Sequence, residues 1–323
     1  MKVMITGGAG YVGSELVPYL LEKGYEIVVY DLYTYGDVFK DISNPKLTEI
    51  KGDLREREKL VEAAKGADAI IHLACISNDP SFELDPELGK SINYNAFFNV
   101  LEAAKANNVK RFIYASSSSV YGLKSEKNVV EDASLEPLTD YSKYKAECEK
   151  ALQKEEMEWV VIRPATVCGY ARRLRLDLAV NILTVNALVN RKIKIFGGNQ
   201  LRPNINIKDM ARCYEALLTA PSEKINHQVF NAGYQNLSIN KIARAVKKLC
   251  GEDIEMEVVP TDDNRSYHIN SDKIARILSF KPEFTVEEAI QSIIDAFKKG
   301  LIKDGLNNPI YHNIKRMKEL NLK

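Results

Sequence analysis

Lys2-Val3-Met4-Ile5-Thr6-Gly7-Gly8-Ala9-Gly10-Tyr11-Val12-Gly13 opens the chain, and its reading decides the fold. The run 3–6 has the character of a buried strand, and an amphipathic helical pattern occupies 11–23. Between them, Gly7 permits a tight turn, Gly10 lets a backbone approach a pyrophosphate, and Gly13 lets helix and strand pack closely. The free N–H groups and positive dipole end of the helix then face a diphosphate. A close turn without a ligand uses glycines in the same way, so the loop needs support from elsewhere. Asp31 gives it: this carboxylate ends a second strand 18 residues past Gly13, near the spacing of about 20 for a ribose-binding acid. No Gly-Lys-Ser or Gly-Lys-Thr follows the loop, which argues against a nucleoside triphosphate loop.

The same rhythm continues. Further strands are expected at 47–51, 69–73, 111–116 and 159–163, with helices at 56–64, 86–107 and 141–154. Such alternation means a parallel sheet with helices on both faces, and AIIHLA and WVVIR are apolar runs suited to its interior. The fold class is α/β: a Rossmann doubly wound parallel sheet carrying a smaller C-terminal α/β substrate lobe. A soft boundary divides a binding domain at 1–165 from an interleaved lobe at 166–323, with a helix at 178–190 and a strand at 194–196. From Gly300 on, the pattern supports no more than a loosely packed helix.

Composition narrows the class further. The 323 residues carry 45 basic and 44 acidic side chains, a net charge of +1, without the charge blocks that mark nucleic-acid or anionic-membrane binding. Apolar runs are far short of a membrane span, and no secretory pattern opens the chain. Five scattered cysteines, with no CxxC pair, suggest neither a disulfide framework nor a metal site. The expectation is a cytosolic enzyme.

Asp31 also bears on the choice of dinucleotide. A carboxylate accepts both ribose hydroxyls of NAD and repels a 2′-phosphate, and DLYTYGDV offers no arginine to welcome one, so NAD is expected. A turn cap is the other use of an aspartate there. Asp53 follows the third strand, where it suits an adenine contact or an N-cap for a helix starting at Arg55.

Proton chemistry is suggested further on. The fifth strand runs into Ser116-Ser117-Ser118-Ser119-Val120-Tyr121-Gly122, and Tyr141-Ser142-Lys143-Tyr144-Lys145 opens a later helix. Tyr141 and Lys145, four apart, share a helix face. A phenol is a poor base at neutral pH, and a nearby ammonium favours its phenolate. A serine at the strand end can hold a substrate hydroxyl for it. Taken alone, YxxxK is usually a solvated helix face. His72, ending a buried strand, reads as structural, and Cys75 and Cys168 read as small packed residues.

With these motifs assembled, the chain resembles the extended short-chain dehydrogenase/reductase family, in its nucleotide-sugar epimerase/dehydratase branch. TGGAGYVG, Asp31, GDLR, HLA, ASSSSVYG, YSKYK, RPATVCG, LRPNINIKDMAR and DNRSYHINSDKI carry the resemblance along essentially the whole length. It implies Ser117 as the catalytic hydroxyl, Tyr141 as the base and Lys145 as its partner. Cofactor contacts are implied from Tyr11, Val12, Asp53 and Leu54. Leu73, Ala74, Asn93, Ser116 and Pro164 complete the implied set. Asn181, Arg202 and Arg265 would grip the substrate diphosphate, as guanidinium forks suit phosphate oxygens; surface ion pairing is the other use of such arginines. Ser118 and Thr166 are candidate substrate contacts. A homodimer built on helices 88–107 and 141–154 is implied as well.

The resemblance also bears on the reaction. Sugar 4,6-dehydratases of this family carry Thr-Asp-Glu where this chain has Ser117-Ser118-Ser119, and C3/C5 epimerases place a cysteine in that segment. What remains is chemistry at one carbinol, C4, as a nucleotide-sugar 4-epimerase or as a 4-dehydrogenase or 4-ketoreductase. Thr166-Val167-Cys168-Gly169 departs from the usual 4-epimerase and is similar to a subgroup that includes nucleotide-heptose 4-dehydrogenases. Arg172, Arg173 and Arg175 are candidate sugar or diphosphate contacts, or a solvated charge run. A non-catalytic NAD sensor could readily lose Ser117, Tyr141 or Lys145, and all three are present.

Overall fold

The structure, a computed structural model, describes residues 1–124, 128–261 and 268–322. Strands β1 (Lys2–Thr6), β2 (Glu26–Asp31), β3 (Leu47–Lys51), β4 (Ala69–His72), β5 (Arg111–Ala115) and β6 (Trp159–Pro164) alternate with helices. They are followed by β7 (Thr166–Cys168), β8 (Lys192–Phe196), β9 (Leu201–Asn206), β10 (Gln228–Ala232), β11 (Gln235–Ser238) and β12 (Glu255–Val259). Seven of these pair in parallel in the order β10-β6-β5-β4-β1-β2-β3. The chain reverses its direction of winding between β1 and β4, and a doubly wound sheet opens its binding crevice at that switch point.

Apolar side chains fill both faces. Leu16, Val17 and Leu20 of the Gly13–Glu22 helix pack on one side with Met210 and Tyr214. On the other lie Leu60, Phe97, Val100 and Leu152. Short, buried parallel strands need such cover on both sides.

Contacts cross the sequence boundary at 165 in several places. The Ile207–Thr219 helix packs against Gly13–Glu22, and β10 pairs with β6, covering an edge that would otherwise stand open. The remaining strands form two small sheets, β11-β9-β7 and β12-β8, packed by helices Ala179–Asn190, Ile239–Cys250 and Val286–Lys298. No helix among the described residues is long and apolar enough to cross a membrane.

Two expectations change in physical detail. The helix expected at 86–107 is one helical path with a wide π turn at Ser91–Asn95, between Pro86–Lys90 and Ala96–Ala106. Within this turn, Asn93 bonds the backbone of Ile76 in both directions, at 2.8 and 2.9 Å. The tail after Gly300 is not loose. Its Asn313–Leu320 helix packs at the sheet's binding edge, where Asn313 Nδ2 donates to the Ser77 carbonyl and hydroxyl and Arg316 Nε donates to the Thr34 carbonyl at 2.6 Å.

His72 is a neutral structural histidine, bonded to the Thr6 hydroxyl at 2.7 Å and set among Phe97, Phe112 and Tyr114. Burial pushes its pKa down from 6.5 to about 3, with the Lys145 charge adding to the effect. The unfolded chain therefore binds one more proton between those values, and stability falls as pH drops through that window. At pH 5 this group alone removes about 2 kcal/mol relative to neutral pH. Denaturant melts at pH 5 and 7.5 check it: His72→Gln loses about one proton's worth of pH slope, whereas matching slopes in both proteins would exclude the assignment.

Candidate active site

A cavity of about 390 Å³ lies at the carboxyl ends of the strands, floored by Gly7, Gly10 and Gly13. The glycines are required by contact. A Cβ on Gly13 would stand 2.3 Å from the Gly8 carbonyl oxygen, and one on Gly7, whose φ is +75°, 2.5 Å from the Ala74 amide nitrogen. Real atoms do not approach so closely, so the loop and helix lie together only with hydrogen at these positions.

Asp31 reaches the cavity from the end of β2. Its Oδ2 accepts the Ala9 amide at 3.0 Å and its Oδ1 the Tyr33 amide at 2.8 Å. The carboxylate thus caps its own turn and ties the glycine loop to β2, while both oxygens keep lone pairs for a ligand. Burial pushes its pKa up, and the two amides and the Arg173 charge oppose this.

Asp53 also borders the cavity, though it does not cap a helix at Arg55. Its carboxylate accepts the Arg55 amide and guanidinium, and the helix begins at Arg57 with Glu56 as N-cap. Leu54, Leu73, Ala74 and Pro164 add apolar walls.

The proton-transfer residues converge on the same space. Thr139 and Ser142 form a reciprocal capping box that starts the Asp140–Leu152 helix, with the Thr139 hydroxyl donating to Asp79 Oδ1 at 2.6 Å. That start fixes Tyr141 in the first turn, facing Ser117. The Ser117 oxygen accepts the Ser119 amide at 3.1 Å and hydroxyl at 2.9 Å, which leaves its own proton for Tyr141 or a substrate. Lys145, 2% exposed, donates to the Ala115 carbonyl at 2.6 Å and lies 6.0 Å from the Tyr141 ring centre. Burial pushes the Tyr141 phenol well above its usual range, Cys75 adds to this, and Arg175 and a Ser117 hydrogen bond pull it down. In the free protein burial thus outweighs the acidifying effect that a neighbouring lysine alone suggests. Arg175 is a second cation, which the helix spacing does not show.

Other expected residues divide clearly. Ser116, Ser118, Thr166, Tyr11 and Val12 line the cavity. Asn93 and Asn181 do not. Asn181 is fully buried, accepting the Gly169 amide at 3.0 Å and donating to the Tyr11 hydroxyl and the Arg175 carbonyl. Its amide positions the Tyr11 and Arg175 segments, so the grip on a diphosphate expected for it is not seen. Arg202 lies in β9 away from the cavity, and its Nη1 donates to the Leu201 carbonyl at 3.0 Å. Arg265 lies outside the described residues. Arg172 turns outward to pair with Asp41 at 2.5 Å, whereas Arg173 and Arg175 line the cavity.

Tyr35, Ser77, Asn313 and Met317 also line it, and no motif in the sequence marks them. Their signal is spatial: the tail meets the loops after β2 and β4 only in the folded chain. Cys168 is fully buried and its thiol is pushed up by burial, so it packs as a small residue.

The residues fit a dinucleotide: a glycine loop shaped by contact, a carboxylate with free lone pairs, and apolar walls between strand ends. Comparison with known proteins agrees. The model of the NAD dependent epimerase/dehydratase family matches residues 3–233. A putative UDP-glucose 4-epimerase of Methanocaldococcus jannaschii is 28% identical, over 92% of this chain and 99% of its own. The UDP-N-acetylglucosamine 4-epimerase of Methanobrevibacter ruminantium is similar in structure, with a TM-score of 0.83 at 25% identity, over 93% of this chain and 98% of that one. The dTDP-glucose 4,6-dehydratase of Streptomyces venezuelae shares the fold, with a TM-score of 0.85 at 21% identity, over 96% of this chain and 100% of that one.

Proposed function

We infer that this chain, which belongs to the NAD dependent epimerase/dehydratase family, is a nucleotide-sugar 4-epimerase. One observation carries the reading: Ser117, Tyr141 and Lys145 meet in the cavity that holds the glycine loop and Asp31. NAD, when bound, supplies the hydride acceptor and a positive charge that favours the Tyr141 phenolate. Ser117 would hold the C4 hydroxyl of the sugar, and Tyr141 would take its proton during oxidation at C4. Lys145 steadies the charge that Tyr141 gains and loses. The Tyr141 hydroxyl would return the proton after the oxidised sugar has turned over in the pocket, which would invert C4. The names of the relatives, 4-epimerases of UDP-sugars, support this choice. Serines at 117–119 support it too, since they provide no acid or base for eliminating water.

A 4-dehydrogenase or 4-ketoreductase would use the same residues for one half of the cycle. Thr166-Val167-Cys168-Gly169 and the arginine segment favour that second reading. Incubation with UDP-, GDP-, CDP- and dTDP-sugars separates the two. Inverted C4 by NMR, without lasting NADH absorbance, is the expected result; accumulated NADH with a keto-sugar would make the protein a dehydrogenase.

A homodimer is part of the same proposal. Phe98 is 42% exposed on the Ala96–Ala106 helix and meets Tyr94 edge to face, an aromatic surface suited to pairing with a second copy. A monomeric mass by light scattering would contradict it.

A further inference from the structure

The segment Ala171-Arg172-Arg173-Leu174-Arg175-Leu176-Asp177 presents three arginines that the sequence leaves equivalent. Their surroundings separate them. Arg172 is a surface partner of Asp41. Arg175 lies beside Asp177, at 3.5 Å, and its charge acts on Tyr141. Arg173 is 4% exposed, with its guanidinium 3.7 Å from the centre of the Tyr35 ring and Nη2 2.5 Å from Asn313 Oδ1.

We propose that Arg173 is a binding residue for the diphosphate of the dinucleotide, contributed by the second lobe to the site begun by the glycine loop. The inference rests on the dinucleotide reading of the cavity. Three observations carry it.

Position is the first. The Arg173 amide donates to the Ser14 hydroxyl at 3.1 Å, and Ser14 in turn donates to the Tyr11 carbonyl. The arginine is thereby docked onto the first turn of the helix whose amino end faces the cavity, and its charge is felt by Asp31. Arg175, by contrast, acts on the phenol.

The second is an incomplete hydrogen-bond set. Nε of Arg173 is buried and has no partner, although Arg173 borders the cavity. Its neighbours Tyr35 and Asn313 hold it in place, since the Tyr35 hydroxyl also donates to Asn313 Oδ1 at 3.1 Å. Such a fork, fixed before its ligand arrives, suits phosphate oxygens.

Charge is the third. Among the described residues no carboxylate stands within ion-pair distance of Arg173; Asp177 pairs with Arg175. Burial pushes the Arg173 pKa down to about 10 and the Arg175 charge adds to this, with Tyr35 and the more distant Asp177 working against it. A buried cation with no carboxylate in contact is unfavourable to the fold, and an anionic ligand relieves it.

Calorimetric binding of ADP-ribose, adenosine and UDP to the full chain tests this, with Arg173→Met and Arg173→Lys. Arg173→Met is expected to weaken ADP-ribose by about 10- to 100-fold and leave adenosine and UDP within about twofold. Arg173→Lys is expected to recover part of the loss. The melting temperature of ligand-free Arg173→Met should be no lower than that of the wild type, since an unpaired buried charge has been removed. Unchanged ADP-ribose affinity would overturn the proposal alone. Equal loss of UDP would assign the arginine to the substrate diphosphate instead, and parallel loss of all three ligands with a lower melting temperature would make it structural. Failure of the wild type to bind ADP-ribose would overturn the dinucleotide reading itself.

Discussion

Tyr141→Phe lowers kcat by about 10²- to 10⁴-fold, the range by which a positioned acid or base accelerates a reaction. Its ring remains, so the cavity wall and the affinity for NAD are expected to stay close to those of the wild type. The loss falls on kcat because the missing hydroxyl acts on the proton in flight. In the proposed reaction the working form is the phenolate, so activity is expected to rise with pH through the phenol's pKa. Burial pushes that pKa up, while Arg175 and Ser117 pull it down. Lowering the pH is therefore expected to reduce activity. Steady-state rates over a pH series, with bound NAD counted after each preparation, check both parts. Full turnover in the phenylalanine variant would remove Tyr141 from its role.

Glu149→Ala destabilises the chain by about 3–5 kcal/mol, the cost of leaving a buried partner charge alone. Glu149 and Arg163 are a buried pair, with side chains 1% and 4% exposed, and Arg163 Nη2 lies 2.6 Å from Glu149 Oε2. Arg163 also donates to the Tyr121 hydroxyl at 2.9 Å and the Glu131 carbonyl at 3.0 Å, and Ser116 donates to Glu149 Oε1. Glu149 thereby ties the helix that carries Tyr141 and Lys145 to β6 and to the serine end of β5. With Glu149→Ala the guanidinium keeps its charge and loses its anion. Replacing both partners, Glu149→Leu with Arg163→Met, is expected to recover most of the stability, because an apolar pair requires no compensating charge. Denaturant unfolding of both variants reads the difference. A single variant as stable as the wild type would show that the pair contributes little.

Much of the architecture was legible where local rules act alone. The glycine loop, Asp31 and alternating apolar runs placed β1 to β6 and their helices, because buried parallel strands and amphipathic helices have distinct periods. β10 was not picked out: QVFNA is short, and only its pairing with β6 makes it a sheet strand. Ser91–Asn95 fits an ordinary helix equally well, and the wide turn follows from Asn93 meeting Ile76. Side-chain direction was the least legible feature at the site. The family resemblance implies Asn93 and Asn181 as ligand contacts, but the fold turns both amides onto protein backbone. The three arginines looked alike until Asp41, Tyr35 and Asp177 separated them. The tail gave no signal because Asn313 has its partners in Ser77, Arg173 and Asp177, far away along the chain.

At the centre of the account is a Tyr141 phenolate that accepts the sugar's proton in the presence of bound NAD. Near-ultraviolet titration of the NAD-loaded wild type against the NAD-loaded Tyr141→Phe protein measures that phenolate directly. One tyrosinate transition, absent from the variant, is expected at a lower pH than in the cofactor-stripped protein and in step with the rise in turnover. Matching titration curves for the two loaded proteins, or a turnover that rises independently of that transition, would contradict it.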